Sequence, residues 1–329
     1  MHPSNKRPTV CLTESSPRST LATQAPPGTC HTFIRVAGRT ERGAPVWHWR
    51  RRVARIREPM LYLSFFLYKS EEDAETSSRI GGTAFSVIVP LDPPHEDYAV
   101  TYVITARHLI DSGCTFARID HRDGAFRVIE TNGWHHAQPD DRGLSADVSV
   151  ALFRPTRLLF LTSMFAGVGV TRKDLMELDI GTGCETYMIG RLMGFEGKEE
   201  NSQCVRFGHV SMMPRDPVFN KDLGCDVETI LVEMRSIGGH SGSPVFVKGT
   251  NPKGGGEAHR VLGIVWGHVG DQISENAGIA AVTPFWRVHD LLFSDERVIA
   301  ERQAIARTIP AEDPPLVAPD GSWTRWQTT

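Results

Sequence analysis

The chain has little of what would mark it at a glance. Its formal net charge is only −3 over 329 residues, so no broad field of either sign draws it to nucleic acid or to an acidic membrane. Its six cysteines, at 11, 30, 114, 184, 204 and 225, form neither a CxxC pair nor a dense framework. That excludes the common zinc signatures and a disulfide scaffold, leaves free thiols as the default, and points to the cytoplasm, with secretion as the alternative. His135 and His136 are adjacent rather than spaced as ligands, so no metal is expected, and no cofactor either. The apolar stretch Met60 to Leu67 is too short to span a bilayer, and the charged segment after it has no small-x-small cleavage site. No repeat of fixed period is present, and long helical periods are few.

Apolar residues make up 40% of the chain, enough for one large domain or two small ones. Residues 1 to 57 are rich in Pro, Ser, Thr and Arg and read as a flexible basic tail. Within it, Trp47-His48-Trp49-Arg50-Arg51-Arg52, continued by Arg55 and Arg57, could grip phosphate and stack on bases. No recognisable nucleic-acid fold follows, so the expectation is a solvated linker and no nucleic-acid partner.

From Met60 onward, short β-branched and aromatic runs alternate with Gly, Pro, Asp and Asn. They predict strands over 61–68, 83–90, 99–105, 126–130 and 147–153, then 185–190, 205–212, 229–234, 244–247, 261–265 and 278–282. Many short strands argue for an all-β sandwich or barrel. One helix is signalled near the end, with Thr283 as cap, Pro284 at the first helical position, and Phe285, Val288, Leu291 and Leu292 on one face. Beyond it, residues 294–329 read as a C-terminal tail with a polar, potentially helical piece over 295–307 and a Pro-rich end.

The chemistry concentrates in three short segments. Gly238-Gly239-His240-Ser241-Gly242-Ser243-Pro244 holds a serine between glycines, ahead of an apolar run. Glycines let the backbone turn tightly, and the amides of Gly239 and Ser241 can point into one space to receive an oxyanion. Alone, the segment could be a Gly/Ser turn between strands. A serine hydroxyl needs a base, and Thr105-Ala106-Arg107-His108 places His108 where an apolar strand ends. The base needs a carboxylate to hold its tautomer, and Ala146-Asp147-Val148 offers Asp147 at the start of an alternating strand.

Taken together and in the order His, Asp, Ser, these segments resemble the active-site motifs of the trypsin-like (chymotrypsin-fold) serine peptidases, over roughly residues 60 to 293. The resemblance implies two packed six-stranded antiparallel β-barrels, one over 58–161 carrying His108 and Asp147, the other over 162–293 carrying Ser241 and a closing helix. It implies cleavage of a polypeptide substrate through an acyl-enzyme. The run Gly263-Ile264-Val265-Trp266-Gly267 resembles the strand that walls the specificity pocket, which makes Val265, Trp266 and Gly267 substrate-binding candidates, with Arg235 and His268 nearby. No Cys follows His108, which is closer to the disulfide-poor bacterial branch, and Ser243 stands where digestive trypsins have Gly.

Other readings fare worse or differ in class. An α/β-hydrolase elbow needs Gly at the position of Ser243 and the order Ser, acid, His. A catalytically inactive trypsin-like domain serving as a binding or scaffold module is the alternative of another class. A regulatory protein partner, acting with the N-terminal segment as switch or tether, is a further expectation.

Overall fold

Short runs of apolar and β-branched residues give this chain its strands, and several of them are buried on both faces. The computed structural model describes residues 33–39, 45–51, 56–78, 81–156, 158–250, 257–269 and 277–309, of which 33–51 and 257–258 are described by their backbone alone. The N-terminal unit, residues 1–55, departs from the unstructured tail expected of it: β1 (Phe33–Arg39) and β2 (Pro45–Arg51) pair as an antiparallel hairpin. The Trp47 to Arg51 part of the basic run therefore lies on a strand, and the remainder of residues 1–55 lies outside the described residues.

The second unit begins at Ile56 and contains both sheets. Its first half supplies β3 (Ser64–Tyr68), β4 (Gly82–Pro90), β5 (Ala99–Thr105), β6 (Phe116–His121), β7 (Ala125–Glu130), β8 (His135–His136), β9 (Ser149–Phe153) and β10 (Met164–Phe165). They form an eight-stranded sheet in the order β7-β6-β3-β4-β5-β9-β8, with β10 alongside β4 in parallel. This differs from the six-stranded closed barrel expected here. The chain turns through Gly133, at φ of 72°, and leaves β8 only two residues long, so no ladder joins it to β7.

The second half supplies β11 (Glu185–Arg191), β12 (Gln203–Met212), β13 (Val218–Asn220), β14 (Cys225–Val227), β15 (Ile230–Glu233), β16 (Pro244–Thr250), β17 (Glu257–Val269) and β18 (Ile279–Pro284). Six of them close into an antiparallel barrel, β11-β12-β15-β18-β17-β16, as expected, while β13 and β14 stand off it as a separate hairpin. The all-β class holds. Met188, Val210, Val232, Val245, Leu262 and Val282 fill the barrel interior.

A second cluster joins the halves: Val87, Tyr102, Ile104 and Val150 of the first sheet meet Tyr187, Ile189, Phe246 and Ile264 of the barrel. Removing these side chains from water is the main favourable term that holds the two sheets together. The helix Phe285–Phe293 seals this core with Phe285, Val288, Leu291 and Leu292, the face the sequence predicted. Its start differs: Thr283 is the penultimate residue of β18, Pro284 takes the cap position, and no side chain caps the helix. Beyond 294, the helical piece expected over 295–307 is a helix over Glu296–Ala306 capped by Asp295, and it goes further than a tail by burying Val298 in the same core.

Among the described residues the cysteines at 114, 184, 204 and 225 are free thiols, and only Cys114 is buried. No helix among them is long and apolar enough to cross a membrane.

Candidate active site

β5 carries the chain inward to Thr105, and a short helix, Arg107–Asp111, begins immediately after it. This break places His108 at the end of a buried strand with its ring partly exposed. Asp147 lies just before β9, the strand that pairs with β5 in a register joining Thr105 to Ser149. The pairing brings the two residues together. His108 Nδ1 lies 2.8 Å from Asp147 Oδ2, and the His108 amide donates to Asp147 Oδ1 at 3.0 Å.

The Asp147 carboxylate is completely buried, so its charge must be compensated by donors. Asn220, at the tip of the β13–β14 hairpin, donates its side-chain N–H to Oδ2 at 2.8 Å, and the Thr283 hydroxyl donates to the Asp147 backbone carbonyl at 3.3 Å. Asp140, one of two carboxylates on the loop upstream, is occupied elsewhere. Its Oδ2 lies 2.8 Å from Arg142 and 2.9 Å from Arg287.

Burial alone would lower the pKa of His108, but the hydrogen bond and charge of Asp147, with smaller contributions from Asp222 and Asp111, outweigh it. The result lies above the ordinary histidine value. The ring is thus held ready to carry a positive charge.

Ser241 sits in a loop before β16 that is pinned at several points. Gly239 and Gly242 have φ of +91° and +85°, a region in which a side chain is strained. A Cβ on Gly242 would also come within 1.8 Å of the Thr83 carbonyl oxygen. Thr83, the second residue of β4, holds the loop from below: its amide donates to the Ser241 carbonyl and its hydroxyl to the Gly239 carbonyl, each at 2.8 Å. On the other side the Gly242 amide donates to Val265 at 2.7 Å, and the Val265 amide to Ser243 at 3.0 Å. With its carbonyls fixed in this way, the loop leaves two donors over. Among the described residues, neither the Gly239 nor the Ser241 amide finds an acceptor within the protein.

The loop also fixes the residue between those amides. His240 is fully buried, and its Nδ1 accepts the Ile237 amide at 3.1 Å. Burial, aided by the charge of Arg206, pushes its pKa down to about 4, which keeps it neutral at ordinary pH.

Gly82 is where the two segments meet. A methyl group there would lie 2.3 Å from Leu109 Cδ1 and 2.8 Å from the Ser241 carbonyl oxygen. The His108 and Ser241 segments therefore converge over one position of β4. The structure joins His108 to Asp147 by a direct hydrogen bond, whereas the Ser241 hydroxyl makes none to the ring.

The specificity candidates are placed differently from one another. Val265 turns its side chain into the barrel core and spends its backbone on the Ser241 loop. Trp266 is mostly buried against Val227 and Ala281, with Val218, Leu223 and Cys225 of the hairpin packed on the same cluster. Gly267 faces open space, and β17 bulges between it and Val265. Arg235 and His268 are both exposed, the first just after β15 and the second on β17 opposite Ala280. Among the described residues no group of three or more metal-ligating side chains exists.

Asn220, Thr83, Thr283 and His240 are the contacts that sequence reasoning did not assign. Thr83 falls within a predicted strand and Thr283 was read as a helix cap, and neither setting marks a hydroxyl aimed at a distant loop.

No family model matches the chain, and no curated protein matches it. Among solved structures it is similar to the MamO protease domain from Magnetospirillum magneticum in its apo form, at 14% identity and a TM-score of 0.46 over 71% of this chain and 98% of that one. It is also similar to human heparin binding protein, at 12% identity and a TM-score of 0.45 over 74% of this chain and 94% of that one.

Proposed function

We propose that the chain is a serine endopeptidase, with Ser241 as nucleophile, His108 as base and Asp147 as the carboxylate that orients it. The observation that carries this is the conjunction of a buried, hydrogen-bonded Asp147–His108 pair with a serine whose own amide and that of Gly239 have no acceptor among the described residues. In the reaction, the Ser241 oxygen attacks the scissile carbonyl carbon while its proton passes to His108 Nε2. Charge gathers on the carbonyl oxygen, where the Gly239 and Ser241 amides receive it. The C–N bond then breaks and His108 returns the proton to the leaving amine. Water, activated by the same ring, releases the acyl group and regenerates the hydroxyl.

A fluorophosphonate probe tests this directly. Covalent labelling at Ser241, absent from Ser241→Ala, is the expected result, and label elsewhere or none at all overturns the reading. The second reading is a catalytically silent trypsin-like domain that binds a protein partner, and the unformed bond between the Ser241 hydroxyl and the His108 ring favours it. Catalytic hydrogen bonds are often long before substrate arrives, so the same observation is compatible with an enzyme at rest.

A further inference from the structure

The β13–β14 hairpin belongs neither to the closed barrel nor to the eight-stranded sheet, yet its turn reaches the deepest charged group of the site. Asn220 at that turn is completely buried. Its Oδ1 accepts the amides of Asp222 at 2.9 Å and Leu223 at 3.1 Å, and its Nδ2 donates to Asp147 Oδ2 at 2.8 Å. This pattern fixes the amide orientation, because a flipped side chain would set its NH2 against two N–H donors and its oxygen against a carboxylate. The hairpin is itself held in place. Val227 forms a bridge to Ser145, two residues before Asp147, and packs with Val218 and Leu223 against Trp266.

We propose that Asn220 is a positioning residue of the candidate active site, supplying from the hairpin the donor that keeps the Asp147 carboxylate charged and aimed at His108 Nδ1; its catalytic meaning rests on the reading of His108 as base. Asn220 and the ring share one oxygen of Asp147, at 2.8 Å each, while the other oxygen takes the His108 amide. The hydrogen bond from Asn220 disperses part of the carboxylate charge. Without it Asp147 attracts the ring proton more strongly, and His108 becomes harder to deprotonate. The charged groups around the ring are Asp147, Asp222 from the same hairpin turn, and Asp111 from its own helix, the last paired with Arg107.

The sharpest test is Asn220→Asp, which keeps an acceptor for the Asp222 and Leu223 amides and replaces only the donor that faces Asp147. The His108 ring is followed by NMR titration in the full chain, and fluorophosphonate labelling is followed in parallel. Once both carboxylates are ionised, the second charge should raise the His108 midpoint by about one unit or more; a pair that instead keeps one shared proton leaves a donor in place, and Asn220→Ala then reads the loss of the donor alone. The labelling rate at a pH below the midpoint should fall about tenfold, by the same factor in neutral imidazole. Asn220→Ala, which loses the donor without adding charge, should shift the midpoint the same way by less. An unmoved His108 midpoint in both variants, whatever happens to their melting temperatures, makes Asn220 a turn residue only and overturns the inference. A wild-type chain that fails to label while its His108 titration responds as described removes the hydrolase reading and leaves the positioning role standing.

Discussion

The backbone amide of Thr83 donates to the carbonyl of Ser241 at 2.8 Å, so the first sheet itself holds the Ser241 peptide in place. The Thr83 hydroxyl adds a second hold on Gly239 and accepts the amide of Arg191 at 3.0 Å. An oxyanion site works only if its donors are already aimed when charge develops. Thr83→Val keeps the shape and the amide but loses the hydroxyl. It is expected to lower kcat by roughly tenfold to a hundredfold with little change in KM, less than the loss of an oxyanion donor itself. Thr83→Ser should restore most of the rate, and equal effects on kcat and KM in steady-state assays would argue against this role.

The proposed mechanism gives Ser241, His108 and Asp147 distinct jobs, and their substitutions should differ accordingly. Ser241→Ala removes the acyl-enzyme route, and His108→Ala should be comparably severe because the hydroxyl then has no positioned base. Asp147→Asn should cost about 10⁴-fold in turnover by favouring the wrong ring tautomer. Binding of a peptide substrate should survive all three, since the substrate-binding candidates Val265 to Gly267 are left in place. Peptide hydrolysis that persists undiminished in Ser241→Ala would place the nucleophile elsewhere.

Dependence on pH follows from the raised pKa of His108. A base works only when neutral, so activity should be full at alkaline pH and fall as pH drops through a midpoint above the ordinary histidine value of about 6.5. The linked stability runs the other way. Because the folded-state pKa is above the unfolded one, the protonated His108–Asp147 pair stabilises the fold fully below about pH 6.5 and loses that contribution as pH rises through the folded value. Labelling rates and melting temperatures measured across pH 5 to 9 on the wild type and His108→Ala would separate the two; a wild-type labelling profile flat across that range would contradict the assignment of the base.

How much of this was legible in the sequence differs from element to element. Strands with one apolar face, such as β4, β5 and β16, announce themselves by pattern. β6 does not, because its run Phe-Ala-Arg-Ile-Asp-His places Arg118 and Asp120 in the interior. Those charges are satisfied from far along the chain: Arg118 donates to the carbonyls of Gly197 and Lys198, and Asp120 accepts the Asn201 amide at 2.7 Å. A buried charge paired over such a distance looks like a surface charge in one dimension. The helix Glu296–Ala306 was legible as a helical piece, but its packing was not, since Arg302 is buried with a hydrogen bond to the Leu292 carbonyl. His108, Asp147 and Ser241 stood out because local motifs surround each of them. Asn220 did not, because its partner is 73 positions away and only a separate hairpin brings them together.

The Arg191–Glu196 pair gives a stability prediction close to the site but separable from its chemistry. Arg191 ends β11, and its side chain is fully buried, with Nε at 3.1 Å and Nη2 at 2.9 Å from Glu196 Oε1. The guanidinium also lies 4.3 Å from the centroid of the Tyr68 ring and donates to the Ser78 carbonyl. Two desolvated charges roughly offset their own desolvation when paired, but one left alone does not. Glu196→Ala should therefore destabilise the fold by about 3–5 kcal/mol, seen as a lower urea midpoint at unchanged slope. The double change Arg191→Met with Glu196→Leu removes both charges and should recover most of that loss. It leaves the Arg191 backbone amide to serve the Thr83 hydroxyl, so its labelling rate at Ser241 should stay near that of the wild type. A double variant as unstable as Glu196→Ala would mean that the pair is held by the hydrogen bond to Ser78 and the contact with the Tyr68 ring, which methionine cannot replace, rather than by the balance of charge.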